Sequence, residues 1–140
     1  MTEGCPFCDQ STKNRALKES KFAFVILSNP RIAFGHLLVI PKRHVHKVRD
    51  LKGEEASEIF SLLAELQEKI LNKISKGTEI RQNYKPYLPD SQTHVNHLHF
   101  HIVPRDEDDE IARKVDTHRK PLYQKLSSEE KERLFKLLKD

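Results

Sequence analysis

Four short apolar runs along the chain predict β-strands. Each run is rich in β-branched or aromatic residues, or alternates between apolar and polar positions, as strands do. Proline ends two of them, at Pro41 and Pro104, and Asn29-Pro30 predicts a turn after the first. The predicted strands are residues 22–28, 36–40, 78–83 and 95–103, and the first two are expected to pair as an antiparallel hairpin with a rather long connection.

Residues 53–76 follow a different period and predict a long amphipathic helix. Apolar residues recur there at steps of three and four, which places them on one helix face: Ala56, Ile59, Phe60, Leu63, Leu66, Ile70 and Ile74. Gly77 is interpreted as the residue just past the helix end. A second helix is predicted from Ser128, where Glu129, Glu130 and Glu132 precede an apolar side.

Composition narrows the class of protein. The chain has 140 residues, which is the size of one domain with room for an appendage. Its two cysteines exclude a disulfide-rich scaffold, and no stretch approaches the roughly 20 apolar residues of a membrane span. No apolar leader opens the chain, so we expect a cytoplasmic location.

The charge pattern favours a small anionic ligand. The net charge is +4, and basic residues concentrate within residues 42–52. A bias of this size suits a nucleotide phosphate, although a solvated lysine-rich face is the simpler interpretation. An extended basic or aromatic surface for DNA is lacking, so nucleic acid is not expected as a partner.

The most informative segment alternates histidine with apolar residues. If residues 95–103 are one strand, then His97, His99 and His101 share a face, and Leu98, Phe100 and Ile102 share the other. The apolar set has an evident packing role. Three imidazoles on the opposite face have none, apart from a chance polar surface.

Three kinds of chemistry remain open for this row. Imidazoles bind metals, transfer protons near pH 7, and attack electrophiles. Alternate residues of a strand are roughly 7 Å apart, so one zinc ion with bonds of about 2 Å cannot easily take all three. A division of labour among the three is the better interpretation.

Cys5 and Cys8 have the spacing of a zinc half-site. Two further ligands would be needed to close such a site. The alternative is a pair of reduced thiols beside a turn.

Three segments together resemble the histidine-triad (HIT) superfamily: residues 97–103, residues 35–44, and the Cys-x-x-Cys of its zinc-containing members. The resemblance covers about residues 4–105. It implies an α+β fold with an antiparallel sheet of about five strands and one long helix, to which the chain adds the C-terminal helix predicted from Ser128. It also implies a homodimer, because the family pairs two sheets across a two-fold axis. We therefore expect a HIT domain over residues 1–105, followed by an acidic linker and helical extension over 106–140.

The resemblance also implies a mechanism. The middle histidine of the triad attacks the α-phosphorus of a nucleotide conjugate, which assigns the nucleophile to His99. His101 matches the position that orients the scissile phosphate or handles a proton. His36 matches a further pocket histidine that supports the phosphate and the nucleophile.

By the same resemblance, structural zinc would be held by four residues: Cys5, Cys8, His44 and His97. His44 is preferred to His46 because it directly follows Pro-Lys-Arg, as in the family segment.

Contacts to the nucleotide are implied for four more residues. Ser28 and Asn29 match the ribose-binding position, although Asn29-Pro30 also makes an ordinary turn. Asn83 resembles a family asparagine near the α-phosphate. Before the triad the chain departs from the family pattern, because His94 stands where a phosphate-contacting hydroxyl is usual; either a bulge restores the fit or His94 replaces the hydroxyl.

The expected activity is hydrolysis of a dinucleoside polyphosphate or a nucleoside phosphoramidate at the α-phosphate, through a nucleotidyl-histidine intermediate. Transfer of the nucleotidyl group to an acceptor is one alternative. A zinc-stabilised nucleotide-binding module with little turnover is the other.

Overall fold

A computed structural model of the chain describes residues 3–140. The described residues up to 107 form one compact unit and residues 108–140 form a second, and the two are described separately. The first unit contains a five-stranded antiparallel sheet and a long helix, as predicted. Its elements in chain order are α1 (Gln10–Lys13), β1 (Lys18–Glu19), β2 (Ala23–Leu27), β3 (Leu37–Pro41), a 3₁₀ turn (Val48–Asp50), α2 (Gly53–Lys73), β4 (Gly77–Arg81) and β5 (Phe100–Arg105).

The strand order β1-β2-β3-β5-β4 leaves β5 between β3 and β4. β2 and β3 form the predicted hairpin, with Val25 opposite Val39. β5 pairs with β3 through Leu38 and His101, and with β4 through Arg81 and His101. The last strand in the sequence is therefore not an edge strand, because it has a neighbour on each side.

Both faces of the sheet are covered, which explains why β2 and β3 are almost continuously apolar. On one face the helix α2 packs against Val25, Val39 and Ile102. On the other face the N-terminal segment packs its Phe7 against a set of strand residues: Phe24, Ile26, Leu38 and Ile40.

The helix α2 buries part of the predicted stripe and adds Glu55 and Leu62 to it. The buried residues are Glu55, Ile59, Leu62, Leu63, Leu66 and Ile70. Phe60 is 75% exposed, Ala56 is exposed, and Ile74 lies beyond the last helical residue and is 42% exposed. Successive helix residues are rotated by about 100°, so Phe60 points well away from the stripe centred on Ile59.

Gly77 does not end the helix. It is the first residue of β4, and α2 ends at Lys73. Gly35 is the glycine that the fold requires: its φ is +92°, and a Cβ there would lie 3.1 Å from both Ile74 Cδ1 and Pro104 Cγ.

The prediction of a strand over 95–103 was wrong at both ends. β5 begins at Phe100 and includes Pro104. Pairing with β3 ends at Ile102, so the missing N–H of Pro104 leaves no bond to β3 unmade. His97 and His99 precede the strand, in a segment held by the 2.7 Å hydrogen bond from Leu98 N to Val45 O.

The second unit is helical. The predicted C-terminal helix α4 spans Ser128–Leu138, and the Ser127 hydroxyl caps it by accepting from Glu130 N. Sequence reasoning missed an earlier helical segment, a π turn (Ala112–Asp116) continued by α3 (Thr117–Arg119) and a 3₁₀ turn (Lys120–Leu122). Its first turn is capped by Asp109, whose carboxylate accepts from Ala112 N. Part of the predicted acidic linker therefore serves as a helix N-cap.

The buried carboxylate of Glu55 should be a major contributor to stability. It accepts from Lys52 N at the start of α2 and from the Arg43 guanidinium at 2.7 Å. Glu55→Ala should lower the free energy of unfolding by about 2 kcal/mol, because a helix cap and charged hydrogen bonds are lost together. Exposed Glu54→Ala, one residue earlier, should change it by less than about 0.5 kcal/mol. Equal losses in urea unfolding would contradict this role.

Candidate active site and metal centre

The sheet register brings two histidines from distant parts of the chain into contact. His36 lies just before β3, and His101 lies in β5 opposite Leu38. His36 Nε2 is 2.9 Å from His101 Nδ1. Sequence predicted both residues for the site, and the structure places them side by side.

A chain of hydrogen bonds fixes the tautomers of this pair. Ile32 N donates to His36 Nδ1 at 3.3 Å, so the His36 proton is on Nε2. His36 Nε2 therefore donates to His101 Nδ1, and the proton of His101 is on its Nε2. His101 can thus present a hydrogen-bond donor to a ligand while remaining neutral.

Burial keeps both imidazoles neutral at pH 7. It lowers the pKa of His36 to about 4 and that of His101 to about 3. The positive charge of Arg81 contributes to the lowering of both pKa values. Neither ring carries an extra proton at neutral pH, so hydrogen bonding is the role open to them in the resting state.

His99 is oriented differently. Its Nδ1–H donates to the carbonyl of His97 at 2.7 Å. The other ring nitrogen, Nε2, therefore carries the lone pair, and it has no hydrogen-bond partner among the described residues. Its ring meets the Phe7 ring edge-on at 5.1 Å and the His101 ring at 4.9 Å. Burial lowers the pKa of His99, so the ring is neutral and its Nε2 is a competent nucleophile.

These rings line a cavity of about 720 Å³. That volume is in the ordinary range for small-ligand sites, roughly 300–1,000 Å³. The described lining includes three arginines (Arg15, Arg31 and Arg81) and no carboxylate. The cavity is therefore suited to an anion of nucleotide size.

The cavity contains most of the predicted nucleotide contacts. Ser28, Asn29 and His94 line it together with His36, His99 and His101. Ser28 already donates its hydroxyl to Pro30 O at 2.8 Å. Asn83 lies elsewhere: it is exposed and lines a separate cavity of about 320 Å³, which His94 also borders.

The segment before the triad forms a turn. Ser91 and His94 make an isolated β-bridge, with Gln92 and Thr93 at its tip. Both tip residues line the larger cavity beside His94. His94 Nε2 is 3.1 Å from Asn96 Oδ1, which orients its ring.

The ring of His97 is separate from those of His99 and His101. Phe7 lies between His97 and His99, with ring centroids 5.8 Å and 5.1 Å away. The three imidazoles therefore do not form one face of a strand, as the alternation had suggested, because only His101 belongs to β5.

His97 instead meets two cysteines and a histidine. The ligand atoms of Cys5, Cys8, His44 and His97 all lie within 4.8 Å of one another. Cys5 Sγ and Cys8 Sγ are 3.4 Å and 3.5 Å from His97 Nδ1, and His44 Nδ1 is 3.1 Å from it. The structure thus assembles the four residues that the family resemblance implied as a metal group.

This group fits a tetrahedral Zn²⁺. Bonds of about 2.0–2.3 Å would separate the ligand atoms by about 3.3–3.8 Å. The distances from His97 Nδ1 to the other three ligand atoms, 3.1–3.5 Å, are close to that range. His97 Nε2 donates to Pro41 O at 2.9 Å, so Nδ1 presents its lone pair to the group. Burial and the neighbouring Cys5 raise the pKa of Cys8 to about 11, so a thiolate there requires a nearby cation.

This chain is a small α+β protein. A long helix covers one face of its sheet, and a cavity lined by histidines lies on the other. Residues 10–108 match the family model described as the HIT domain. The chain therefore belongs to the HIT family, as its three sequence segments predicted.

Named relatives include two hydrolases. The bis(5′-adenosyl)-triphosphatase of Dictyostelium discoideum is 29% identical over 119 residues, covering 81% of this chain and 78% of that protein. The adenosine 5′-monophosphoramidase of Saccharomyces cerevisiae is 28% identical over 111 residues, covering 76% and 66%.

Among solved structures, a Zn-bound histidine triad family protein from Mycobacterium smegmatis shares the fold. It aligns with a TM-score of 0.65 at 23% identity, covering 79% of this chain and 81% of that one. In the described part of this chain, no helix has the length and apolar character needed to cross a membrane.

Several cavity residues were missed by sequence reasoning, among them Phe7 and Arg81. Phe7 belongs to the Cys-x-x-Cys segment, where it resembled a spacer, and Arg81 is the last residue of β4. Arg81 lies within the predicted strand over 78–83, but the register that sets it opposite His101 cannot be read from that segment alone.

The metal group predicts a difference between two neighbouring histidines. His44→Ala should reduce zinc content from about one ion per chain to below about 0.2 and lower the melting temperature, because a ligand and its folding energy are lost. His46→Ala should retain zinc, since exposed His46 is outside the group. Metal analysis after dialysis, together with thermal melts, measures both. Zinc loss in His46→Ala, or retention in His44→Ala, would contradict the ligand set.

The low pKa of His36 predicts acid sensitivity. The pKa of His36 is about 4 in the folded chain, below its ordinary 6.5. Between these two pH values the unfolded chain therefore binds a proton on this residue and the folded chain does not. Stability from this group is therefore full near pH 7 and falls by about 2 kcal/mol on going to pH 5. His36→Gln should remove that part of the pH dependence of urea unfolding.

Exposed His118→Gln is the control for this measurement, and it should keep the wild-type dependence. An unchanged slope in His36→Gln would show that His36 is protonated in the fold.

Proposed function

We propose that this chain is a HIT-type hydrolase that cleaves nucleotide conjugates at the α-phosphate through a nucleotidyl-histidine intermediate. The observation that carries the proposal is the free Nε2 of His99. It is in a cavity of nucleotide size whose described lining is cationic and contains no carboxylate. The names of the two hydrolase relatives support the same class of substrate.

The first step forms a bond from His99 Nε2 to the α-phosphorus and breaks the bond to the leaving group, which departs with the bonding electron pair. Both ring nitrogens of His99 are then substituted, and the ring is cationic. The carbonyl of His97, which accepts from Nδ1–H, stabilises that charge. The His101 Nε2–H donates a hydrogen bond to the phosphate.

In the second step water attacks the phosphorus on the opposite side from His99. The P–N bond breaks, its electron pair returns to Nε2, and a mononucleotide and a proton are released. Splitting one displacement into two lowers each barrier. His36 is a positioning residue here, because it fixes the tautomer of His101 through the 2.9 Å hydrogen bond.

We assign the nucleoside to the β2 end of the cavity, where Ser28 and Asn29 would bind the ribose. His94 would contact the phosphate from the turn before the triad. A contact from Asn83 has less support, since Asn83 lines the smaller cavity. His99, His101 and His36 form the catalytic group of this proposal.

We propose a structural role for zinc, held by Cys5, Cys8, His44 and His97. The ion would tie the N-terminal segment to the residues just before β5, so it supports His99 without entering the reaction. A homodimer is supported by the family resemblance and by β4, whose outer edge is unpaired within this sheet. We also propose that residues 1–105 form the HIT domain and that residues 106–140 are an extension of it. The proposed location is cytoplasmic.

Replacing the nucleophile tests the mechanism. His99→Ala should reduce kcat/KM for diadenosine triphosphate and for adenosine 5′-phosphoramidate by at least about 1,000-fold, because covalent catalysis is lost. Its affinity for AMP should change little. Exposed His118→Ala should keep wild-type activity. A wild-type reaction quenched in base should yield nucleotide mass on the His99 peptide.

The same assay separates the alternatives. Products that change when inorganic phosphate is added would identify a nucleotidyltransferase. Nucleotide binding without turnover in the wild type would identify a binding module. Full activity in His99→Ala would exclude the covalent mechanism.

A further inference from the structure

Arg81 is a cationic group of the cavity that the mechanism above does not use. It is the last residue of β4 and lies directly opposite His101 in the β4–β5 ladder. Paired residues of an antiparallel ladder project from the same sheet face, so Arg81 shares the cavity face with His101. It lines the cavity together with His36 and His99.

The guanidinium of Arg81 lacks a counter-ion in the described structure. Its Nε is buried and has no hydrogen-bond partner among residues 3–140. Two other arginines in or next to the sheet are paired: Arg43, just after β3, with Glu55 at 2.7 Å, and Arg105 of β5 with Glu79 at 3.4 Å. A guanidinium is always charged, and Arg81 is half-buried with its Nε shielded from water and unpaired, so an anionic ligand in the cavity would supply the missing partner.

The strand order indicates which anion this is. Ser28 and Asn29 follow β2, and three strand spacings separate β2 from β4, a span of about 14 Å. His101, in β5, lies between these two strands. With the nucleoside near the end of β2 and the α-phosphate beside His99 and His101, Arg81 would meet whatever is attached beyond the α-phosphate.

We propose that Arg81 binds the leaving-group phosphate, and that this site therefore selects nucleotide conjugates whose leaving group is itself a phosphate, as in dinucleoside polyphosphates, over nucleoside phosphoramidates. The proposal rests on the function proposed above and deepens it. Guanidinium geometry suits such a contact, because a phosphate can accept two parallel hydrogen bonds from it.

The bond changes of the first step agree with this selection. When the P–O bond to a phosphate leaving group breaks, the electron pair stays on an oxygen that is stable as an anion, and Arg81 balances the added charge. An amine leaving group instead requires a proton as the P–N bond breaks. The hydrogen-bond chain from Ile32 N through His36 leaves His101 with one ring proton and none to spare.

The test compares two substrates that share adenosine: diadenosine triphosphate and adenosine 5′-phosphoramidate. Arg81→Met should lower kcat/KM for diadenosine triphosphate by about 10–100-fold, the loss expected for a charged hydrogen-bond pair, and for the phosphoramidate by less than about 3-fold. Arg81→Lys should recover part of the first loss, since it restores charge without the planar fork. Exposed Arg49→Met should alter neither value.

A thermal melt of each variant establishes that it is folded. Equal losses for both substrates would overturn the inference, because Arg81 would then act on the shared nucleotide or on the fold. No loss for either would also overturn it. Wild-type protein that cleaves the phosphoramidate but not diadenosine triphosphate would overturn the inference and leave the hydrolase function standing. Wild-type protein that cleaves neither would overturn the proposed function, and the inference with it.

Discussion

The register between β3 and β5 is the constraint on which the site depends. Leu38 opposite His101 sets His36, just before β3, against the ring of His101. The neighbouring register with β4 sets Arg81 on the other side of the same ring. A slip of one residue would turn His101 toward the helix α2 and expose Ile102, which is fully buried. The apolar core therefore fixes the position of the polar site.

The N-terminal segment completes the architecture by covering the face that α2 leaves open. Phe7 packs against the strands and separates His97 from His99, while Cys5 and Cys8 approach His97 and His44. A short segment buries too little apolar surface to hold itself in place, so a Cys₂His₂ metal group is a reasonable anchor. The N-terminal segment thus contacts both His97, through Cys5 and Cys8, and His99, through Phe7.

The cavity combines neutral imidazoles with arginine side chains that have no carboxylate beside them in the described lining. Burial keeps the pKa values of His36 and His101 far below 7, and the described lining has arginines without carboxylates. Such a site attracts a polyanion while leaving the imidazoles free to act as donors and as a nucleophile. The chemistry proposed here follows from that combination rather than from any single residue.

The sequence alone determined the α+β class, the long helix, the hairpin and the family. It also pointed to the four residues that the structure brings together as a possible metal site, and to His36, His99 and His101, which line one cavity, because short motifs keep chemically distinctive residues at fixed spacing. It misjudged Phe60, the extent of β5 and the shared face of the three imidazoles. Only the tertiary structure decided these, and only it brought Arg81 into the cavity, because strand register and helix orientation are set by contacts between residues far apart in the chain.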